Sequence, residues 1–308
     1  MSKKRKFHVI FSGIMIVMSL IIIFALSHKK SLVLGNSKNE LVASAKIMID
    51  HNKMSDGDYP ADTSIEDVVQ GIMAEFNVQD DQVSIVYEDL KKGNDYRLNE
   101  DDLVTAASTI KVGIAAIFVD QIVAGNLTWD SELPYYDGYY ESGDGAITNS
   151  EKKYSYTVEE VMDQMLTYSD NTATNILAFY YRDTFSDYRQ AILDFSGETD
   201  IPLEAFENNE TTADILAAIL KRLTEDERYQ LIIDVMLQAQ DGFRLKQYVT
   251  TGMAAKYGSY GAWQHDTGIY YEDEEAVYLL VVLTYGLENV DEFMGELNYQ
   301  IKEWQQLQ

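Results

Sequence analysis

The order in which hydrophobic periodicity changes along the chain constrains its fold most. "QVSIVYEDL" (82–90) has the pattern of a strand, and "KKGND" turns it into a second strand at 96–99. From Ser108 to about residue 240 helical spacing takes over, as in "TVEEVMDQMLTY" and "TTADILAAILKRL". Strand patterns return in "GMAAKYGSYG" (252–261), "DTGIYYED" (266–273) and "AVYLLVVLTYG" (276–286). Helical patterns flank this whole stretch: "SIEDVVQGIMAEF" (64–76), with Ser64 as its N-cap, and "VDEFMGELNYQIKEWQQ" at the end. Strands on both sides of a helical middle predict one α+β unit. Its antiparallel sheet is built from N- and C-terminal segments, flanked by the terminal helices, with an inserted all-α region.

The first 30 residues are of another kind. Lys3, Lys4, Arg5 and Lys6 precede an apolar run from Phe7 to Ser27, followed by His28, Lys29 and Lys30. About 20 apolar residues span a bilayer as a helix, so the run is expected to be a membrane anchor. The basic cluster puts its N-terminus inside and the body outside. Ala25-Leu26-Ser27 as a small-residue cleavage site gives the rival reading, a cleaved signal and a secreted body. Residues 31–62 are polar, with Gly35, Gly57, Pro60 and one short helical pattern in "NELVASAKIMID", and read as a spacer. The folded domain is expected over 63–308.

All 51 Asp and Glu lie beyond residue 30, against 18 of the 24 Lys and Arg, so the body is more acidic than the net −27 of the whole chain. Such a charge disfavours nucleic acid and anionic lipid surfaces as partners. There is no cysteine, which excludes disulfides and thiolate metal sites. His8, His28, His51 and His265 do not fall in pairs at ligand spacing, so neither a metal centre nor another cofactor is expected.

Three short segments carry candidate chemistry. In "TAASTIKVGIAAIF" (105–118), Ser108 and Lys111 stand at i and i+3 at the start of an apolar helix, on one face. A lysine among Ile110, Val112 and Ile114 is desolvated, which lowers an amine's pKa and suits it to act as a base. The plainer reading makes Ser108 a helix cap and lets Lys111 reach outward to water. In "YSDNTATNIL", Ser169 offers a hydroxyl that can relay a proton, and Asn171 an amide that can hold a substrate carbonyl; Ser, Asp and Asn also cap helices well. In the strand 252–261, Gly258 permits close backbone approach, Lys256 supplies charge, and the Ser259 N–H can point into an oxyanion hole. A solvated lysine on an edge strand is the alternative there.

Taken in order, these segments resemble the Ser-x-x-Lys, Ser-Asp-Asn and Lys-Thr-Gly boxes of class A β-lactamases and penicillin-binding proteins. The likeness runs from about residue 64 to 305. It implies a β-lactamase-like catalytic domain in which Ser108 is acylated and Lys111 helps to activate it. Ser169 would pass a proton to the leaving nitrogen, with Lys256 supporting it electrostatically. Asn171 would hold the substrate amide, and the N–H groups of Ser108 and Ser259 would form the oxyanion hole. Tyr257 departs from the pattern, since the family has a small hydroxyl residue there that helps bind the substrate carboxylate. Only 86 residues lie between Ser169 and Lys256, so the deacylation loop of class A enzymes is shortened. Glu204, with Asn208 four residues on, and Glu207 are the candidates for a deacylating carboxylate. The expected substrate is a β-lactam or a cell-wall peptide. The readings that remain open are a β-lactamase with slow deacylation, a D-alanyl-D-alanine peptidase, and a binding protein that keeps the fold without turnover.

Overall fold

A computed structural model describes residues 59–60, 62–198, 208–239 and 241–308, which belong to one compact unit, Tyr59–Gln308. Its centre is a five-stranded antiparallel sheet in the order β2-β1-β9-β8-β7, formed by β1 (Val83–Asp89), β2 (Tyr96–Leu98), β7 (Met253–Tyr260), β8 (Trp263–Glu272) and β9 (Glu275–Tyr285). Strand β1 pairs with β9, Val83 opposite Thr284 through Asp89 opposite Tyr278, which joins the two ends of the chain as expected.

Strand β9 is apolar almost throughout because it is covered on both faces. Tyr278, Leu280 and Val282 join Ile85 and Tyr87 under helices α1 (Ile65–Glu75) and α8 (Val290–Gln306). Leu279, Val281 and Leu283 join Val86 on the opposite face, packed against the helical region. That region contains α2 (Lys111–Val123), α3 (Val158–Thr167), α4 (Asn171–Thr184), α5 (Tyr188–Ser196), α6 (Ala213–Glu225) and α7 (Gln230–Gln238). Ser64 caps α1 in a reciprocal capping box with Asp67.

Two short ribbons brace the helical region. Strand β3 (Val104–Thr105) pairs with β6 (Glu210–Thr211), and β4 (Glu132–Pro134) pairs with β5 (Ser155–Thr157). One expectation is corrected in extent: β8 begins at Trp263 rather than at residue 266. A two-residue turn, with Gly261 at φ +59°, brings Trp263 directly opposite Tyr260 and lengthens the hairpin. Among the described residues no helix is long and apolar enough to cross a membrane. The expected anchor over 1–30, the helical pattern in "NELVASAKIMID", and both Glu204 and Glu207 lie outside the described residues.

Candidate active site

The first box begins with a short 3-10 turn, Ala107–Ile110, and the α-helix starts only at Lys111. Ser108 is therefore no helix cap; its side chain makes no capping bond. The turn is pinned from several directions. Ala107 takes a left-handed φ of +48°, the Ala106 N–H donates to the Asn209 carbonyl at 2.7 Å, and the Thr109 hydroxyl donates back to the Ala106 carbonyl at 2.7 Å. Strand β7 presses on it as well. A β-carbon at Gly258 would stand 2.8 Å from the Ser108 nitrogen and 3.0 Å from the Thr109 nitrogen, so only glycine fits there.

Lys111 does not reach outward. Only 4% exposed, it points into the molecule, where its Nζ donates to the Ser169 carbonyl at 2.7 Å, to the Ser169 Oγ at 3.1 Å and to the Asn171 Oδ1 at 2.8 Å. Burial pushes its pKa down to about 8, against the pull of the Glu141 and Asp170 carboxylates. The second box is shaped to receive it. Ser169 has φ +57°, and Asp170 caps α4 through Ala173 N–H at 2.8 Å. Asp170 also accepts from the Thr148 N–H at 2.8 Å and the Thr148 hydroxyl at 2.7 Å. A β-carbon at Gly145 (φ +91°) would collide with Asp170. Asn171 Nδ2 is held by the Ser142 carbonyl at 2.9 Å.

Lys256 is fully buried on β7 rather than solvated at the sheet edge. Its Nζ makes no hydrogen bond to Ser169; it donates to the Tyr257 carbonyl at 3.2 Å and lies 4.5 Å from the centroid of the Tyr257 ring. Burial drives its pKa well below the usual lysine value, and the charge of Lys111 adds to the drop. The direct bond to Ser169 comes from Lys111, and the Lys256 ammonium lies against the Tyr257 ring.

Sequence reasoning missed two residues that hold this arrangement together. Arg244 is buried and gives up all five N–H donors: Nη1 to the Gly258 carbonyl at 2.8 Å and to the His265 carbonyl, Nη2 to Ser259 Oγ at 2.7 Å and Gln264 Oε1 at 3.0 Å, and Nε to Asp291 at 3.2 Å. His265 accepts the Thr284 N–H on Nδ1 at 3.0 Å, which leaves the proton on Nε2 to donate to the Thr105 carbonyl at 2.7 Å. Burial lowers the His265 pKa to about 4 and raises that of the adjoining Asp266 to about 6. No local pattern announces either residue, since their partners come from distant strands.

The result is a cavity of about 430 Å³ lined by Ser108, Lys111, Glu141, Asn171, Glu210 and Ser259, among others. Residues of the first two boxes, and Ser259 just after the third, thus line one cleft, while Ser169, Lys256, Tyr257 and Gly258 do not line it. A second cavity, of about 390 Å³ between α3 and α7, shares no residue with it and holds no basic side chain. Among the described residues no cluster of three or more His, Asp or Glu could hold a metal ion. The cleft is lined by the Ser108 hydroxyl and by a desolvated amine, Lys111, which is bonded to a second hydroxyl, Ser169: the components of acyl transfer through serine.

Comparison with known proteins agrees with this geometry. No curated protein matches the sequence. Among solved structures the fold resembles PBP-A, at 20% identity and a TM-score of 0.66 over 80% of this chain and 98% of that one. It also resembles a β-lactamase from Sphaerobacter thermophilus (19%, TM-score 0.65, 79% and 97%) and an ancestral class A β-lactamase (18%, TM-score 0.64, 77% and 99%). At these identities the likeness establishes the mixed α/β fold of class A β-lactamases. A family model described as the beta-lactamase enzyme family matches residues 63–304, most of the chain, and with the three boxes converging as described the protein belongs to that family of serine hydrolases.

Proposed function

We propose that the protein is a serine acyl-transfer hydrolase that forms an acyl-enzyme at Ser108 with β-lactams and releases it slowly. The observation that carries this reading is the placement of Lys111. It is desolvated, it follows Ser108 by three residues, and it is bonded directly to Ser169. Neutral Lys111 takes the Ser108 proton as Oγ attacks the carbonyl carbon, and the tetrahedral oxyanion is met by the N–H groups of Ser108 and Ser259. Ser169 then passes a proton from Lys111 to the leaving nitrogen. Asn171 orients the acyl amide.

Slow deacylation is inferred from the 86-residue spacing between Ser169 and Lys256, which leaves room only for a shortened form of the loop that carries the hydrolytic carboxylate in class A enzymes. Glu204 and Glu207 are the local candidates for that role. A relative of this fold, a mutant form of PBP-A, was solved as an acyl-enzyme complex with penicillin G. A cell-wall peptide ending in D-alanyl-D-alanine is the second substrate this machinery suits, and the basic and apolar segment at 1–30 is proposed to hold the domain on the outer face of a membrane.

Intact-mass measurement after mixing with a penicillin tests the reading. The expected result is a penicilloyl adduct that persists and is absent from Ser108→Ala. Rapid return to unmodified protein with bulk hydrolysis would refute slow deacylation, and no adduct would refute β-lactam acylation.

A further inference from the structure

The cleft has a second end that the acylation chemistry does not use. Asn171, Thr174, Asn175 and Ala178 line it at helical spacing, so one face of α4 forms a wall about 10 Å long. Asn171 stands at the Ser108 end of that wall, bonded to Lys111. A short link joins the other end of α4 to α5, which puts Tyr188 and Arg189, in the first turn of α5, at the far end of the cleft.

Charge is sorted along this length. Of the described lining residues only Lys111 and Arg189 are basic, and Lys111 spends its ammonium on Ser169 and Asn171. The lining carboxylates lie toward Ser108: Glu141 acts on Lys111, and Glu210 stands opposite Thr105 where β3 pairs with β6. Arg189 is not spent. Its Nε is buried and has no hydrogen-bond partner among the described residues. Its Nη1 stands 3.6 Å from one Asp187 carboxylate oxygen, outside hydrogen-bond range, while the other oxygen caps α5 through the Arg189 and Gln190 N–H groups. The Tyr188 ring supports the guanidinium, with Cζ 4.8 Å from the ring centroid, and its phenol feels the same charge. A buried donor without a partner costs free energy that a bound carboxylate recovers.

We infer that Arg189 is a specificity-determining residue that receives a carboxylate carried at the remote end of the substrate's acyl group, about 10 Å from the bond that is cut. This rests on Ser108 being the acylated residue. In the step itself the Ser108 Oγ–carbon bond forms, the bond from that carbon to the leaving nitrogen or sulfur breaks, and the Ser108 proton ends on the departing atom. The remote carboxylate is unchanged by it.

The test compares acylation rates at Ser108, read by intact mass on the purified protein, for two matched pairs. One pair is a penicillin with an adipoyl side chain and the methyl ester of its side-chain carboxylate. The other is an N-adipoylglycyl thioester and the methyl ester of its adipoyl carboxylate. In the wild type each acid reacts about tenfold faster than its ester, the worth of one charge-assisted contact, although the chain's net −27 works against the acid. In Arg189→Gln the acid-to-ester ratio falls to about one or below, and Arg189→Lys, which keeps the charge without the fork, holds part of it. A purely structural role for Arg189 would slow acid and ester alike and leave the ratio where it was. The inference is overturned if the wild type does not prefer the acids, if Arg189→Gln keeps the wild-type ratio, or if Arg189→Lys behaves as Gln does. Adducts from the thioesters alone would defeat the β-lactam reading, while the thioester ratio still decides this one; no adduct from any of the four defeats both.

Discussion

If Lys111 is the base, the pH dependence of acylation follows from its burial. With its pKa lowered from 10.5 to about 8, the amine should be the group that titrates in the acylation step. At pH 7 about one lysine in eleven is then neutral, against about one in 3,000 at the unperturbed value, a difference of roughly 300-fold or ~3 kcal/mol. The second-order acylation rate should rise tenfold per pH unit from about pH 6 and level off above about pH 8. Stopped-flow or quenched intact-mass kinetics with a penicillin measures it. The carboxylate of Glu141 raises the Lys111 pKa, so Glu141→Gln should move the inflection to lower pH. A profile that is flat from about pH 6 to about pH 10, or that still climbs at the top of that range, would refute Lys111 as the base.

Other outcomes follow from the same geometry. Gly258→Ala drives a methyl group into the Ser108 and Thr109 backbone, which should cost about 1–3 kcal/mol and abolish acylation; a variant with normal melting and labelling would contradict the contact. Asp170→Ala strips a buried cap and two bonds to Thr148, with an expected loss of about 1–3 kcal/mol by denaturant titration; an unchanged midpoint would show that the cap carries no stability. His265, with a folded pKa of about 4, makes the unfolded chain the better proton binder below 6.5, so its contribution to stability rises with pH across that window. Asp266, with a folded pKa of about 6, does the reverse between 3.8 and about 6. Each is worth about 3 kcal/mol and they nearly offset each other. Subtracting the denaturation profile of His265→Asn from that of the wild type should give a difference that grows from pH 4 to pH 6.5; a difference independent of pH would refute the neutral buried imidazole.

Strong periodicity made the framework legible in the sequence. Helix α8 occupies the stretch that its apolar spacing marks out, and β9 reads as a strand because both of its faces are buried. The boxes were legible as chemistry because each pairs a reactive side chain with a backbone signal. Their internal geometry was not. That the helix begins at Lys111 depends on β7 pressing against Ser108, and that the Lys256 ammonium is covered depends on the Tyr257 ring. Arg244 and His265 gave no sign in the sequence, because each acts through carbonyls and amides that only the folded sheet brings near.

The link from Thr284 through His265 to Thr105 also bears on when the Ser108 turn is fixed during synthesis. The Thr105 carbonyl, three residues before Ser108, is held by a strand that is made late in synthesis, after most of the chain. A nascent polypeptide therefore carries the Ser108 turn without this anchor until the closing strands dock.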